Sequence, residues 1–343
     1  MDHLSEIHEQ ILIRLSVRDL IRCKSVCKSW LSLISKPQFI KAHLNQNDQI
    51  DRKNDIIGHR RIVMSKLPYN SDGAFEFDNY TFDFCRSHLL GSANGLVCVS
   101  LSRTEIVIVN PSTREVNKIT KPQIPAETGP LFWGFGHDSY VDDYKAVIGY
   151  LKDENCTCFQ VFSLKANTWK MIEEVNHAFS SRIGVLCKGA LHWVAYDNSS
   201  KKNIVLSFSL LDEKFVEVPQ PDDVRYQYDV AQEFLMRLGT MKDCLCVFLH
   251  ESLLDELWVM KEYNVKESWE IIGREPEVKY DFLHRMKLLQ NYVPNKGTLS
   301  RDIGLSDGRL FMGSPLFVES LVSPHFHKRQ KRKRRQAIQK LLL

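Results

Sequence analysis

Four times between Gly95 and Trp269 the chain repeats one grammar: an apolar run, a second apolar run, a polar turn and a bulky closing residue. Gly95-Leu96-Val97-Cys98-Val99 leads to Ile106-Val107-Ile108-Val109, a turn at Asn110-Pro111-Ser112-Thr113, and Val116. Tyr144 to Tyr150, Cys158 to Phe162, Lys165-Ala166-Asn167 and Trp169 follow the same order, as do Gly189 to Val194, Ile204 to Leu210, Asp212-Glu213-Lys214 and Phe215. The last unit runs from Cys244 to Phe248, Glu256 to Met260, a turn at Asn264 to Glu267, and Trp269. The closing residues Val116, Trp169, Phe215 and Trp269 stand 53, 46 and 54 positions apart. Short apolar runs broken by Gly, Pro, Asn and Asp are strands. A unit of three to four strands recurring every 40 to 50 residues or so is a propeller blade. No amphipathic stretch of helical length interrupts these runs, so the bulk of the chain is expected to be all-β. Arg60 to Phe84, and Gly304 to Met312 with Phe317-Val318, are candidates for further irregular blades, for a total of about six.

The first 45 residues obey a different period. Ile7, Ile11, Leu12 and Leu15 are spaced by four, one and three, which places them on one stripe of a helix. Ser16 precedes Val17-Arg18-Asp19, a hydroxyl cap with a carboxylate three residues on, so a second helix is expected to start there. It carries Leu20 and Ile21 inward. A third stretch repeats Val26, Cys27, Trp30, Leu31 and Ile34 at threes and fours, and Pro37 is expected to end it, because the residue before a proline is pushed out of the helical region. Three helices in about 40 residues bury little of their own surface. Yet Leu4, Ile13 and Leu33 add apolar side chains off the main stripe. The excess is best explained by a docking surface, the alternative being that the helices cap the domain that follows. The expected organisation is α+β and multidomain: a three-helix unit at 1–45, a linker at 46–59 whose polar stretch Asn45 to Asp55 could also be an exposed helix end, an all-β, propeller-like domain at 60–322 and a basic tail at 323–343.

Charge separates the tail from the body. Seven of the eight residues from Lys328 to Arg335 are basic, and without them 39 basic residues face 42 acidic ones, a net of −3. The body is therefore not built as a nucleic-acid binder, whereas Lys328, Arg329, Lys331, Arg332, Lys333, Arg334 and Arg335 form a cluster of nuclear-localisation type, with an anion-binding arm or a solvated end as the alternatives. No run of 18 apolar residues occurs, and no basic region followed by an apolar one opens the chain, so neither a membrane span nor a secretory signal is expected. The nine cysteines lack framework spacing and read as free thiols of a reducing compartment.

Candidate chemistry is sparse. Cys156 and Cys158, like Cys244 and Cys246, share one face of a strand, but zinc sites favour two to four intervening residues on a turn, so core packing is expected. His192 beside Trp193 and His137 beside Asp138 have no nucleophile at a recognisable spacing. The chain holds no P-loop, no Gly-x-Gly-x-x-Gly and no Gly-x-Ser-x-Gly. No catalytic residue, metal or other cofactor is expected. Trp133, Trp169, Trp193, Trp258 and Trp269 are expected in the core between blades, with one alternative for Trp133, which is a candidate partner-binding anchor if the stretch Gly129-Pro130-Leu131-Phe132-Trp133-Gly134 is an exposed loop.

The run from Ile7 to Leu15, Arg22, and Val26-Cys27-Lys28-Ser29-Trp30 with Leu33-Ile34-Ser35 and Pro37-Gln38-Phe39 resemble the plant-type F-box. That family usually opens with Leu-Pro, one residue, then Glu-Ile. Here Leu4-Ser5-Glu6-Ile7 is one residue shorter and has no proline, and Ser16 stands where a second proline is common. Gly91-Ser92-Ala93-Asn94-Gly95-Leu96-Val97-Cys98, Asn110-Pro111-Ser112-Thr113-Arg114, Phe135-Gly136-His137-Asp138 with Asp142-Asp143-Tyr144-Lys145, Gly189-Ala190-Leu191-His192-Trp193 and Trp258 to Tyr263 resemble the F-box-associated domain, which is similar to kelch repeats. The resemblance implies a non-catalytic substrate receptor of an SCF ubiquitin ligase, in the nucleus, the cytoplasm or both. Its F-box would dock on the Skp adaptor, and through it on a cullin, by Leu4, Ile7, Ile11, Leu12, Leu15, Leu20, Val26, Cys27 and Trp30. The β domain would bind a target protein whose identity the sequence does not encode. The alternative is a propeller interaction protein without ligase association, owing to the shortened opening.

Overall fold

The computed structural model describes residues 2–53, 75–77, 80–82, 88–102, 105–125, 129–224, 226–227, 235–241, 243–250, 255–271 and 318–325. Four helices come first: α1 (Asp2–Leu12), α2 (Val17–Cys23), α3 (Lys28–Ile34) and α4 (Pro37–Lys53). Ser16 is the N-cap of α2, its hydroxyl accepting the Asp19 N–H at 3.2 Å and donating to the Asp19 carboxylate at 2.7 Å. Pro37 ends α3 as its chemistry demands, but it also opens α4, because a proline's fixed φ suits the first turn and its missing N–H would have no partner there. The expected linker is therefore helical as far as Lys53. Leu12, Val17, Leu20, Leu33, Ile34, Phe39 and Ile40 form the core between the helices. On α4, His43 is buried, its Nε2 2.8 Å from the Leu15 carbonyl.

A short hairpin, β1 (Phe75–Phe77) with β2 (Tyr80–Phe82), precedes the blades. The first blade is β3 (His88–Ala93), β4 (Leu96–Ser100), β5 (Ile106–Asn110) and β6 (Glu115–Lys118). The second is β7 (Leu131–Asp138), β8 (Asp143–Asp153), β9 (Cys156–Ser163) and β10 (Thr168–Met171). In the third, β11 (Ala178–Phe179) and β12 (Val185–Cys187) together make the first strand, followed by β13 (Ala190–Asp197), β14 (Lys202–Ser209) and β15 (Phe215–Glu217). The fourth is β16 (Leu235–Met241), β17 (Cys244–His250), β18 (Asp255–Met260) and β19 (Trp269–Ile271). Each is an antiparallel meander in sequence order. Val116, Trp169, Phe215 and Trp269 all lie in fourth strands. Four blades are present among the described residues; Gly304 to Met312 lies outside them, and of Arg60 to Phe84 only the hairpin lies within.

Strand alternation survives, but it sorts side chains between two cores instead of core and solvent. Trp133 and Ile148 face the first blade's Leu90, Cys98 and Ile108, while their neighbours Phe132 and Val147 face the third blade's Leu191, Trp193 and Phe208. Val194, next to Trp193, turns to the fourth blade's Leu238, Val247 and Trp258. Every residue of β4 and β5 is buried, as expected for a sheet covered on both faces. Such close stacking needs gaps. A Cβ on Gly134 would fall 2.7 Å from Leu191 and 2.9 Å from Trp193. Trp133 is accordingly no loop anchor: it sits in β7 with 7% exposure, because the stretch meant as a loop is strand from Leu131 onward.

The turns repeat too. Asn94 and Gly95 hold φ of 51° and 80°, and Lys188 and Gly189 hold 48° and 78°, the doubly left-handed pair of a type I′ hairpin. Third strands end on residues that close the next turn: Asn110 accepts from Ser112 and Thr113 N–H, Ser163 from Ala166 N–H, Ser209 from Asp212 N–H, and the Met260 sulfur from Asn264 N–H. Trp169 and Trp269 donate their indole N–H to the Thr120 and Pro219 carbonyls at 2.7 and 2.8 Å, tying the second and fourth blades to the links that precede them.

Candidate docking face

On α1 the stripe divides. Leu12 is 1% exposed and points into the helical core, while Ile7 and Ile11, four residues apart, are 50% and 55% exposed. Val26, just before α3, and Leu31 within it are 64% and 46% exposed. Trp30 is half-buried, packed against the helical core, and its ring meets the His8 ring edge-on with centroids 5.9 Å apart. This contact brings the α1 face and the start of α3 side by side. Ile7 and Ile11 on α1, Val26 just before α3 and Leu31 within it are the apolar side chains that this pair of segments leaves in water, a candidate docking face.

Cys27, the N-cap of α3, is exposed at the edge of this face, with its sulfur 3.0 Å from the Ser29 hydroxyl. That hydroxyl and the Trp30 N–H lower the pKa of its thiol. Leu20 is fully buried in the helical core, and Leu15 packs against the same core. Leu12 and Leu20, expected among the adaptor contacts, are instead core residues, because the other helices already cover them, and Leu15 is partly covered in the same way. The side chain of Leu4 lies outside the described residues, as does the whole cluster from Lys328 to Arg335. Leu31 is the face residue that sequence reasoning left out of the adaptor set, although its spacing from Val26 and Cys27 carried the signal.

His192 and His137 are each held by neighbouring groups of the propeller. Since the Val185 carbonyl can only accept, Nδ1 of His192 donates to it at 3.1 Å, and Nε2 accepts the Tyr263 hydroxyl at 2.9 Å across the third and fourth blades. Burial lowers the His192 pKa to about 4. His137 contacts Asp142 at 3.0 Å, and Asp138 closes the Tyr140-Val141 turn while pairing with buried Lys145 at 3.2 Å. Lys145 also reaches Glu213 of the third blade at 3.0 Å. Burial alone would raise the Glu213 pKa, but Lys170 and Lys145 hold it below the usual value. Cys156 and Cys158 donate to the Glu174 carboxylate at 3.4 and 3.6 Å, and burial first, then Glu174, raises both thiol pKa values. Among the described residues no group of three or more His, Cys, Asp or Glu side chains is placed to hold a metal ion, and no helix is long and apolar enough to cross a membrane.

Fold and face define a class: a β-propeller protein carrying a short helical module with its apolar side turned to solvent. Residues 5–46 match the F-box-like family model, and residues 56–291 match the F-box associated beta propeller domain. F-box protein CPR1 of Arabidopsis thaliana is 30% identical over 295 residues, covering 77% of this chain and 70% of that protein. The Arabidopsis F-box/kelch-repeat protein At3g23880 is 27% identical over 286 residues, covering 77% of each. The chain belongs to the F-box proteins with an F-box-associated propeller.

Proposed function

We propose that this chain is the substrate-recognition subunit of an SCF ubiquitin ligase. The F-box docks on the Skp adaptor through Ile7, Ile11, Trp30, Val26 and Leu31, and the propeller holds a target protein. The observation that carries this reading is that Ile7, Ile11, Val26 and Leu31 of one short helical unit all stay exposed, which favours a partner that covers them. Trp30, half-buried against the helical core, is of the residue type enriched at interface hot spots. No chemistry is asked of the chain. Holding adaptor and target together raises the target's local concentration at the conjugating enzyme.

Co-purification with a Skp adaptor tests this directly. The unmodified chain is expected to retain the adaptor, and Ile11→Asp to weaken it by at least about tenfold, the effect of a hot-spot loss, with helicity unchanged. An unmodified chain that fails to retain the adaptor would sink the ligase role and favour a plain propeller interaction protein. We further propose that the basic cluster from Lys328 to Arg335 directs the chain to the nucleus. A chain cut before Lys328 that distributes in cells like the full one would remove that role.

A further inference from the structure

Residues 318–325 lie far outside the span matched by the propeller family, 56–291, yet they sit between the two modules. Leu321 is buried in the helical core with Leu12, Val17, Leu20, Ile34 and Phe39. Its neighbour Val322 packs against both that core and the core between the first two blades. The backbone on either side of Leu321 is held by one side chain: the Asn110 amide, fully buried, donates to the Ser320 carbonyl at 3.0 Å and to the Val322 carbonyl at 2.6 Å. Asn117 donates to the Pro324 carbonyl at 2.8 Å, the Ser323 hydroxyl to Glu115 at 3.1 Å, and the Ser320 hydroxyl to the Asn94 carbonyl at 2.7 Å. Gly95 keeps the space open, because a Cβ there would collide with Ser320 and the Val318 carbonyl.

The repeat shows that Asn110 is matched to this task. At the same place, the last residue of the third strand, the other blades carry Ser163, Ser209 and Met260, each able to close its turn by accepting one N–H. Asn110 closes its turn with Oδ1 and has an amide NH2 left over, which neither serine nor methionine offers. Both of its donors go to the 318–325 segment.

We infer that residues 318–325 are a clamp, with Leu321 as wedge and Asn110 as latch, that fixes the helical module in one orientation on the first blade. Asn110 and Leu321 are then positioning residues: resting on the receptor role above, the clamp sets where a target held by the propeller stands relative to the bound adaptor. A free linker would spread that position over many geometries and lower the effective concentration at the conjugating enzyme.

The test uses the full chain with spin labels on unnatural amino acids at the exposed positions Lys41 and Lys201, one in each module. Asn110→Ser carries what the second and third blades have at this place, so its turn can still close on the hydroxyl while both clamp donors are lost. The unmodified chain is expected to give one narrow inter-label distance, Asn110→Ser a broadened one, and Asn110→Ser/Leu321→Ala loss of the single peak. A double variant as narrow as the unmodified chain overturns the clamp. Adaptor retention by the same proteins separates the two ideas. A chain that never binds adaptor but shows the broadening keeps the clamp and loses the receptor role.

Discussion

The helices and the blades treat their apolar residues in opposite ways. The second and third blades are each packed between two neighbours, so Trp133, Trp193 and Trp258 are consumed in the cores between blades, and exposed apolar side chains such as Tyr140, Leu211, Val216 and Val265 fall on turns and fourth strands. Among the described residues the helical unit has no such neighbour over Ile7, Ile11, Val26 and Leu31. Its core is completed by Leu321 from the far end of the chain, while Ile7, Ile11, Val26 and Leu31 stay in water. A stacked repeat satisfies itself; a short helical unit is finished by others. One of those others is within the chain, and the proposed second is the adaptor.

The sharpest way to break this contrast is to truncate one residue from each side of α1 and α2. Leu20→Ala removes a fully buried side chain from the helical core and is expected to cost about 2–5 kcal/mol. Ile11→Ala removes a side chain that is already wet and is expected to stay within about 0.5 kcal/mol. Urea unfolding followed by far-ultraviolet circular dichroism measures both. Equal losses would mean that Ile11 belongs to the core and that the docking face does not exist as described.

This division was only half legible in the sequence. Ile7, Ile11, Leu12 and Leu15 span an arc of about 140° at 100° per residue, wider than one packing contact uses. Periodicity shows that such an arc is buried against something, but not that one edge meets Leu33 and Ile34 while the other meets solvent. The blades were more legible, because the closing residues and polar turns recur at a fixed place in each unit. Trp133 was not, since a strand covered on both faces loses the apolar and polar alternation that would separate it from an aromatic loop. The clamp was hidden for a third reason. Ser320-Leu321-Val322 carries no local pattern, and its role comes from a contact more than 200 residues away in the chain.

His192 makes the propeller sensitive to acid. The unfolded state takes up a proton on histidine near pH 6.5, whereas folded His192 resists until about pH 4. Stability is therefore full above pH 6.5 and falls as the pH drops from there toward 4, by on the order of 3 kcal/mol, with no further loss from this group below that. Urea midpoints of the unmodified chain and His192→Gln, taken from pH 7 to 4.5, should diverge in slope, the variant being flatter. A smaller steric test probes the stacking itself. Gly134→Val pushes two methyl groups toward Leu191 and Trp193 and is expected to cost about 1–3 kcal/mol by thermal unfolding, the usual range for overpacking. A neutral result would show that the second and third blades have room to part.

The mildest perturbation falls at Ser16, where the chain departs from its family's usual proline. Its backbone already has φ −62°, within the range a proline ring imposes. The serine adds a cap that proline lacks, the Oγ that accepts the Asp19 N–H and donates to its carboxylate. Ser16→Ala loses the cap and gains nothing, so it should lower stability by about 1 kcal/mol. Ser16→Pro loses the same cap but also removes freedom from the unfolded chain, a gain of about 0.4–1 kcal/mol, so it should come out near neutral. Thermal unfolding of the two variants is thus expected to rank proline above alanine. The reverse order would mean that Leu15, the residue a proline would restrict, cannot take the extended backbone required, and that this chain has committed its first turn to the serine cap.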